Sequence, residues 1–112
     1  MKVVISTKGE SKASLMDMRF GRAKGFMLYD DENGSFTWIS NEENANLDHG
    51  AGIQASQKVA SSGANAVITG HLGPKAEATL KAASLEAYQG KEEMTVEAAV
   101  EALKRGELKA LY

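Results

Sequence analysis

Val3, Val4 and Ile5 stand together near the start of the chain, and Ala66, Val67 and Ile68 stand together past its middle. Short unbroken apolar runs rich in β-branched residues suit strands buried on both faces. The first predicts strand 1 over Lys2 to Thr7. The second predicts strand 4, which Gly70 breaks. Gly25 to Asp30 and Ser35 to Ser40 are expected as strands 2 and 3, with Phe36 and Trp38 on one face. The link between them contains Asn33-Gly34, a strong hairpin signal. Leu85 to Tyr88 is strand 5.

Helical spacing takes over elsewhere. Ala51, Ala55 and Val59 form a thin stripe over Ala51 to Ser62, and Gly63 suits its C-cap. Ala76, Leu80 and Ala83 mark a helix from Pro74, where a first turn tolerates proline. Val96, Ala99, Val100 and Leu103 give the cleanest stripe, with Thr95 as N-cap and Gly106 as terminator. Residues 8–15 read as a polar loop, and 16–24 as a loop with one helical turn. Residues 41–50 read as an exposed loop and the last six as a tail. The order β–β–β–α–β–α–β–α predicts an α/β fold: a mixed sheet with helices on both faces.

At 112 residues the chain is expected to be one domain, 1–112, with a core that needs no staples. No run of eighteen apolar residues suggests a membrane span, and the apolar start is too short for a signal peptide, so a cytoplasmic protein is expected. The net charge of −2 argues against a general nucleic-acid surface. That charge is uneven. Residues 8–24 hold Lys8, Lys12, Arg19, Arg22 and Lys24 against Glu10 and Asp17, whereas residues 30–48 hold six carboxylates and no Lys or Arg. A local basic site on an acidic chain suits a small anion better than a polyanion. There is no cysteine, so any protein ligand to a metal must be His, Met, carboxylate or backbone.

Two turns draw attention. Thr69-Gly70-His71-Leu72-Gly73-Pro74-Lys75 reads as strand, glycine turn and helix start, with a histidine in the turn. His49-Gly50-Ala51-Gly52 opens the preceding helix. Free backbone N–H groups and the helix dipole favour anions at such starts.

Four stretches then fall into a pattern: Met1-Lys2-Val3-Val4-Ile5-Ser6-Thr7, Asp17-Met18-Arg19-Phe20-Gly21-Arg22-Ala23, His49-Gly50-Ala51-Gly52-Ile53-Gln54-Ala55, and Val67-Ile68-Thr69-Gly70-His71-Leu72-Gly73-Pro74-Lys75-Ala76. Together they resemble the dinitrogenase iron–molybdenum cofactor biosynthesis family, which includes nitrogenase accessory carriers and the molybdenum–copper orange protein. The resemblance covers nearly the whole chain. It implies a three-layer α/β/α, ribonuclease-H-like fold with a five-stranded mixed sheet, order 3-2-1-4-5, strand 2 antiparallel. It implies non-catalytic binding, storage or transfer of an anionic molybdenum-containing metal–sulfur cluster, either a Mo–Cu sulfide or an FeMo-cofactor precursor. Cluster donor and acceptor proteins would be the partners of a monomer or weak dimer. Some members carry cysteines near these motifs. This chain has none, so thiolate ligation of iron is not carried over.

In that order, strands 1 and 4 are parallel neighbours whose connections diverge. The crevice beyond their carboxyl ends is where such sheets bind ligands. The expected lining is Thr7 and Lys8 after strand 1, Arg19 and Arg22 from the following loop, His49, Gly50 and Gly52 at one helix start, and Gly70, His71 and Gly73 at the other. His71 and His49 are the candidate metal contacts. Each residue has a plainer reading. His71 reads equally as a turn histidine bonded to backbone, and His49 reads first as an exposed loop histidine. The arginines read equally as partners for Asp17 or helix-end carbonyls, and the glycines read first as turn requirements. Met16 and Met18 carry soft sulfur yet read first as core filler. A regulatory or scaffold module binding a phosphorylated metabolite or a protein, without metal, is the alternative. A nuclease is disfavoured, because strands 1 and 4 carry no acids for two-metal chemistry.

Overall fold

The computed structural model describes residues 1–112. In chain order its elements are β1 (Lys2–Thr7), β2 (Gly25–Asp30), β3 (Ser35–Ser40), α1 (Glu42–Ala45), α2 (Ala51–Ser61), β4 (Ala66–Thr69), α3 (Pro74–Ala82), β5 (Glu86–Gln89), α4 (Val96–Lys104) and β6 (Lys109–Ala110). They form one mixed sheet of order β3-β2-β1-β4-β5-β6. β1 pairs antiparallel with β2 along its whole length and parallel with β4 from Val3↔Ala66 to Ile5↔Ile68.

The apolar run of β1 is divided between two cores by the strand's two-residue period. Val3 and Ile5, with Ala66 and Ile68, meet Val96, Ala99 and Val100 of α4 on one face. Val4 and Val67, with Phe26 and Ala87, meet Ala55 and Val59 of α2 and Ala76 and Leu80 of α3 on the other. Fully burying one such aliphatic side chain contributes about 1.5–3 kcal/mol. This two-sided burial is why unbroken apolar runs, and not alternation, marked β1 and β4. No helix is long and apolar enough to cross a membrane.

The sheet has six strands, not five, and the final residues are not a free tail. Gly106 turns the chain at φ 71°, and β6 adds antiparallel to β5. The Leu111 N–H donates to the Ala87 carbonyl at 2.8 Å. The Tyr112 hydroxyl donates to the Leu85 carbonyl, and the Lys81 ammonium lies 5.0 Å from the Tyr112 ring centre. These bonds are all non-local, so a two-residue strand left no local pattern.

Residues 41–50 are not simply an exposed loop. They contain α1, and Asn41 is fully buried, its amide donating to the Gly21 and Ala23 carbonyls at 3.2 and 3.0 Å. β5 begins at Glu86, one residue later than expected. Ser84 adopts φ 62°, and the Leu85 N–H is still tied to the Leu80 carbonyl at 3.0 Å. Residues 16–24 contain no helix; they form a loop pinned by isolated bridges, Thr7↔Met16 and Arg19↔His71.

Candidate anion-binding cleft

β1 and β4 lie parallel, and the chain leaves β1 toward β2 but leaves β4 toward α3. The crevice at their carboxyl ends is a topological switch point. A cleft of about 640 Å³ opens there. Three segments build it: the start of α2, the turn into α3, and the loop Arg19–Arg22.

Both helix starts present unsatisfied donors. Gly50 caps α2 at φ 80° with no side-chain bond, and the first helical bond runs from the Gln54 N–H to the Gly50 carbonyl at 3.0 Å. The N–H groups of Ala51, Gly52 and Ile53 are thereby left without an intrahelical partner. At α3, Gly73 is the cap, again without a side-chain bond, and Glu77 is the first residue to donate back, to Gly73 at 3.0 Å. Pro74 has no N–H, which leaves those of Lys75 and Ala76. α4 behaves differently: away from the cleft, Thr95 accepts from the Ala98 N–H at 3.1 Å. The two helices that border the cleft keep their positive ends open to it.

The loop between them is held from below. The Ser6 hydroxyl donates to the Asp17 carbonyl at 2.6 Å and lies 2.8 Å from the Thr69 hydroxyl. Asp17 is buried and accepts from the Arg19 backbone N–H at 2.9 Å, from Nε at 3.1 Å and from Nη2 at 2.9 Å. Burial alone pushes the Asp17 carboxyl up. The bonds from Arg19, with the charges of Arg19 and Lys8, outweigh burial and hold it below its ordinary range. Phe20 anchors the loop in the core, its ring centre 5.4 Å from that of Phe26. The His71 N–H donates to the Met18 carbonyl at 3.3 Å. A side chain at Gly70 would collide with the Met18 backbone, and one at Gly21 would stand 2.8 Å from the Gly52 nitrogen. Two glycines therefore let the loop lie against both helix starts.

Of the expected residues, Arg19, Arg22, His49, Gly50, Gly52, His71 and Gly73 line the cleft. Gly70 lies beneath it as a packing glycine. Thr7 is buried, its hydroxyl 2.9 Å from the Gly9 carbonyl, and does not face the cleft. Lys8 lines a neighbouring groove. Both imidazoles are exposed and make no side-chain hydrogen bond within the chain.

The arginines serve two purposes at once. Arg19 grips Asp17, and Arg22 Nη1 donates to the Ala45 carbonyl at 2.9 Å and to that of Leu47, which ties down the segment before His49. A guanidinium has five N–H donors, so each keeps several for a ligand. Met16 is buried in the core and Met18 packs against it. Lys75 and Asp48 also line the cleft and were not expected there. Lys75 was legible, since it follows Pro74 in the first turn; Asp48 had no local signal. No group of three or more His, Asp or Glu side chains is gathered as a metal site. The lining suits a whole anion held by charge and hydrogen bonds.

Comparison with known proteins agrees with this architecture. The family model described as dinitrogenase iron-molybdenum cofactor matches residues 1–106. The apo form of the orange protein from Desulfovibrio gigas is 37% identical, covering 97% of this chain and 91% of its own, with a TM-score of 0.93. The solution structure of a putative NifB protein from Thermotoga is 33% identical, covering 98% of this chain and 92% of its own, with a TM-score of 0.86. An uncharacterized protein of Methanocaldococcus jannaschii is 35% identical over 72 residues, 62% of this chain, and the chain spans 61% of that relative's length. This chain belongs to the dinitrogenase iron–molybdenum cofactor family.

Proposed function

We propose that the cleft binds, stores or passes on an anionic molybdenum-containing metal–sulfur cluster, a Mo–Cu sulfide or an FeMo-cofactor precursor, without catalysis. One observation carries the reading. Two helix starts without a side-chain cap bond converge with Arg19, Arg22 and Lys75 on one cleft, in a chain with no cysteine. A thiometallate is a multiply charged anion whose sulfurs accept hydrogen bonds. N–H groups and guanidinium forks hold such a species without a covalent bond to it. His71 and His49 stand at the same cleft as candidate metal contacts. The family match and the likeness to the apo orange protein support the reading. Cluster donor and acceptor proteins in the cytoplasm are the partners in this picture. We read the β3-β2-β1-β4-β5 part of the sheet as the ribonuclease-H-like arrangement, supported by its order and the antiparallel β2. The carboxylate cluster that two-metal hydrolysis needs is not assembled on it.

Anaerobic titration with tetrathiomolybdate and copper(I) tests the proposal. A visible charge-transfer band should grow to saturation, and molybdenum should stay with the protein through desalting. No band and no retained metal would overturn it; stabilisation by phosphates alone would favour the phosphometabolite module instead. His71→Ala should weaken retention. Unchanged retention would remove His71 from the site and leave the cleft standing.

A further inference from the structure

Lys8 and Lys24 stand beside the cleft but outside it. They line a shallower groove of about 310 Å³, together with Arg19, Arg22, Asp17 and Glu42. Arg19 and Arg22 line the cleft as well, so groove and cleft share one wall. In the groove four cations face two carboxylates, and Asp17 is already paired with Arg19 at 2.9 Å. Glu42, exposed in the first turn of α1, carries the one negative charge there that is outside an ion pair. Lys8 and Lys24 are exposed, and neither ammonium is within an ion pair or hydrogen bond. This surplus of positive charge lies on a chain of net charge −2.

We propose that the groove is a capture subsite for the multiply charged anion that the cleft holds. Lys8 and Lys24 speed its arrival and take no part in retaining it. The inference rests on the reading of the cleft given above. Its physical basis is the difference between two kinds of cation. Arg19 and Arg22 are fixed by bonds to Asp17 and to the Ala45 and Leu47 carbonyls, which suits a planar fork to a lasting contact. The two lysines are hydrated point charges on flexible stems, free to meet an anion and release it. Like-signed charges around a concave surface raise the local anion concentration and speed association by about 10–10³-fold, an effect that falls steeply with salt. Because the screening length is about 8 Å at physiological ionic strength, only charges close to the anion's path act this way. The shared arginine wall gives a captured anion a short path inward.

The test is anaerobic stopped-flow mixing of the protein with the copper–tetrathiomolybdate mixture at low and at high salt. It compares the parent chain with Lys8→Gln/Lys24→Gln and Lys8→Glu/Lys24→Glu. At low salt the neutral pair should associate severalfold more slowly, and the reversed pair about tenfold more slowly or worse. High salt should erase both differences. Dissociation, followed by dilution into a thiomolybdate-free chase, should be unchanged in the neutral pair, which also guards against a loop disturbed by charge reversal. Association that is unchanged at low salt would overturn the capture role. So would faster dissociation from the neutral pair, since the lysines would then belong to the holding site. If the parent chain binds nothing, the reading of the cleft itself fails and the capture role falls with it. Binding by the parent with identical kinetics in all three proteins removes the capture role alone.

Discussion

Gly21 lies against Gly52 so closely that a Cβ at position 21 would stand 2.8 Å from the Gly52 backbone nitrogen. The contact is one-sided. A Cβ at Gly52 would meet only the Ala76 methyl, at an ordinary 3.6 Å. Gly21→Ala should therefore destabilise the protein by about 1–3 kcal/mol, because the loop must lift off the α2 start. Gly52→Ala should be neutral or slightly stabilising, because alanine is the better helix former. Urea denaturation of the two variants side by side distinguishes them, and equal costs would mean that the loop does not sit where it is described.

Gly73 offers a trade between stability and binding. Its φ of −73° and ψ of 165° fit an N-cap residue, and a side chain there would meet nothing within 4 Å. Gly73→Asp should cap α3 and raise stability by about 0.5 kcal/mol. The same carboxylate would occupy a free N–H and repel an anion. Thermal denaturation should rise while molybdenum retention after desalting falls. A rise in both would separate the α3 start from the anion site.

Asp17 ties the loop to pH. Its folded carboxyl titrates below the ordinary 3.8, so the folded form favours the carboxylate. Its contribution to stability is therefore present above the unfolded value and is lost as pH falls through the lowered folded one. Asp17→Asn should cost about 1–3 kcal/mol at neutral pH, since the Arg19 bonds lose their charged acceptor. The difference from the parent should persist from pH 7 to about 5 and shrink below about pH 4. Denaturant midpoints across that range check it. A gap that stays constant into strong acid would deny the ion pair its role.

The last residues should matter. Removing residues 109–112 deletes β6, the Leu111 bond to Ala87 and the Tyr112 contacts with Leu85 and Lys81. Leu111 also packs against the core on the α2/α3 face. The truncated chain should lose about 1–3 kcal/mol, on the scale of one or two half-buried apolar side chains. A truncation without effect on the thermal midpoint would return these residues to the status of a tail.

Much of the fold was legible because its causes are local. Doubly buried strands must be apolar along their length, and Val3-Val4-Ile5 and Ala66-Val67-Ile68 announce them. Asn33-Gly34, Pro74 and Gly106 act through their own backbone preferences and Thr95 through a hydroxyl that caps its own helix, so turns and helix ends could be placed with little error. Elements whose stability is borrowed were not legible. β6 exists because β5 offers it a free edge, and α1 sits beside a buried Asn41 whose amide bonds to Gly21 and Ala23.

The site divides along the same line. Sequence alone determined which groups were available: two glycine-led helix starts, two histidines, a basic loop and no thiol, chemistry that belongs to single residues and their neighbours. Only the tertiary structure decided which of them meet. It buried Thr7 and turned Lys8 into the next groove, because the chain after β1 bends back to bridge Met16 and brings Asp17 beneath the loop. It added Lys75 and Asp48, and it gave Gly21 and Gly70 their purpose as points of close approach. Whether a residue faces a cleft depends on contacts between segments far apart in the chain, and no local pattern carries that information.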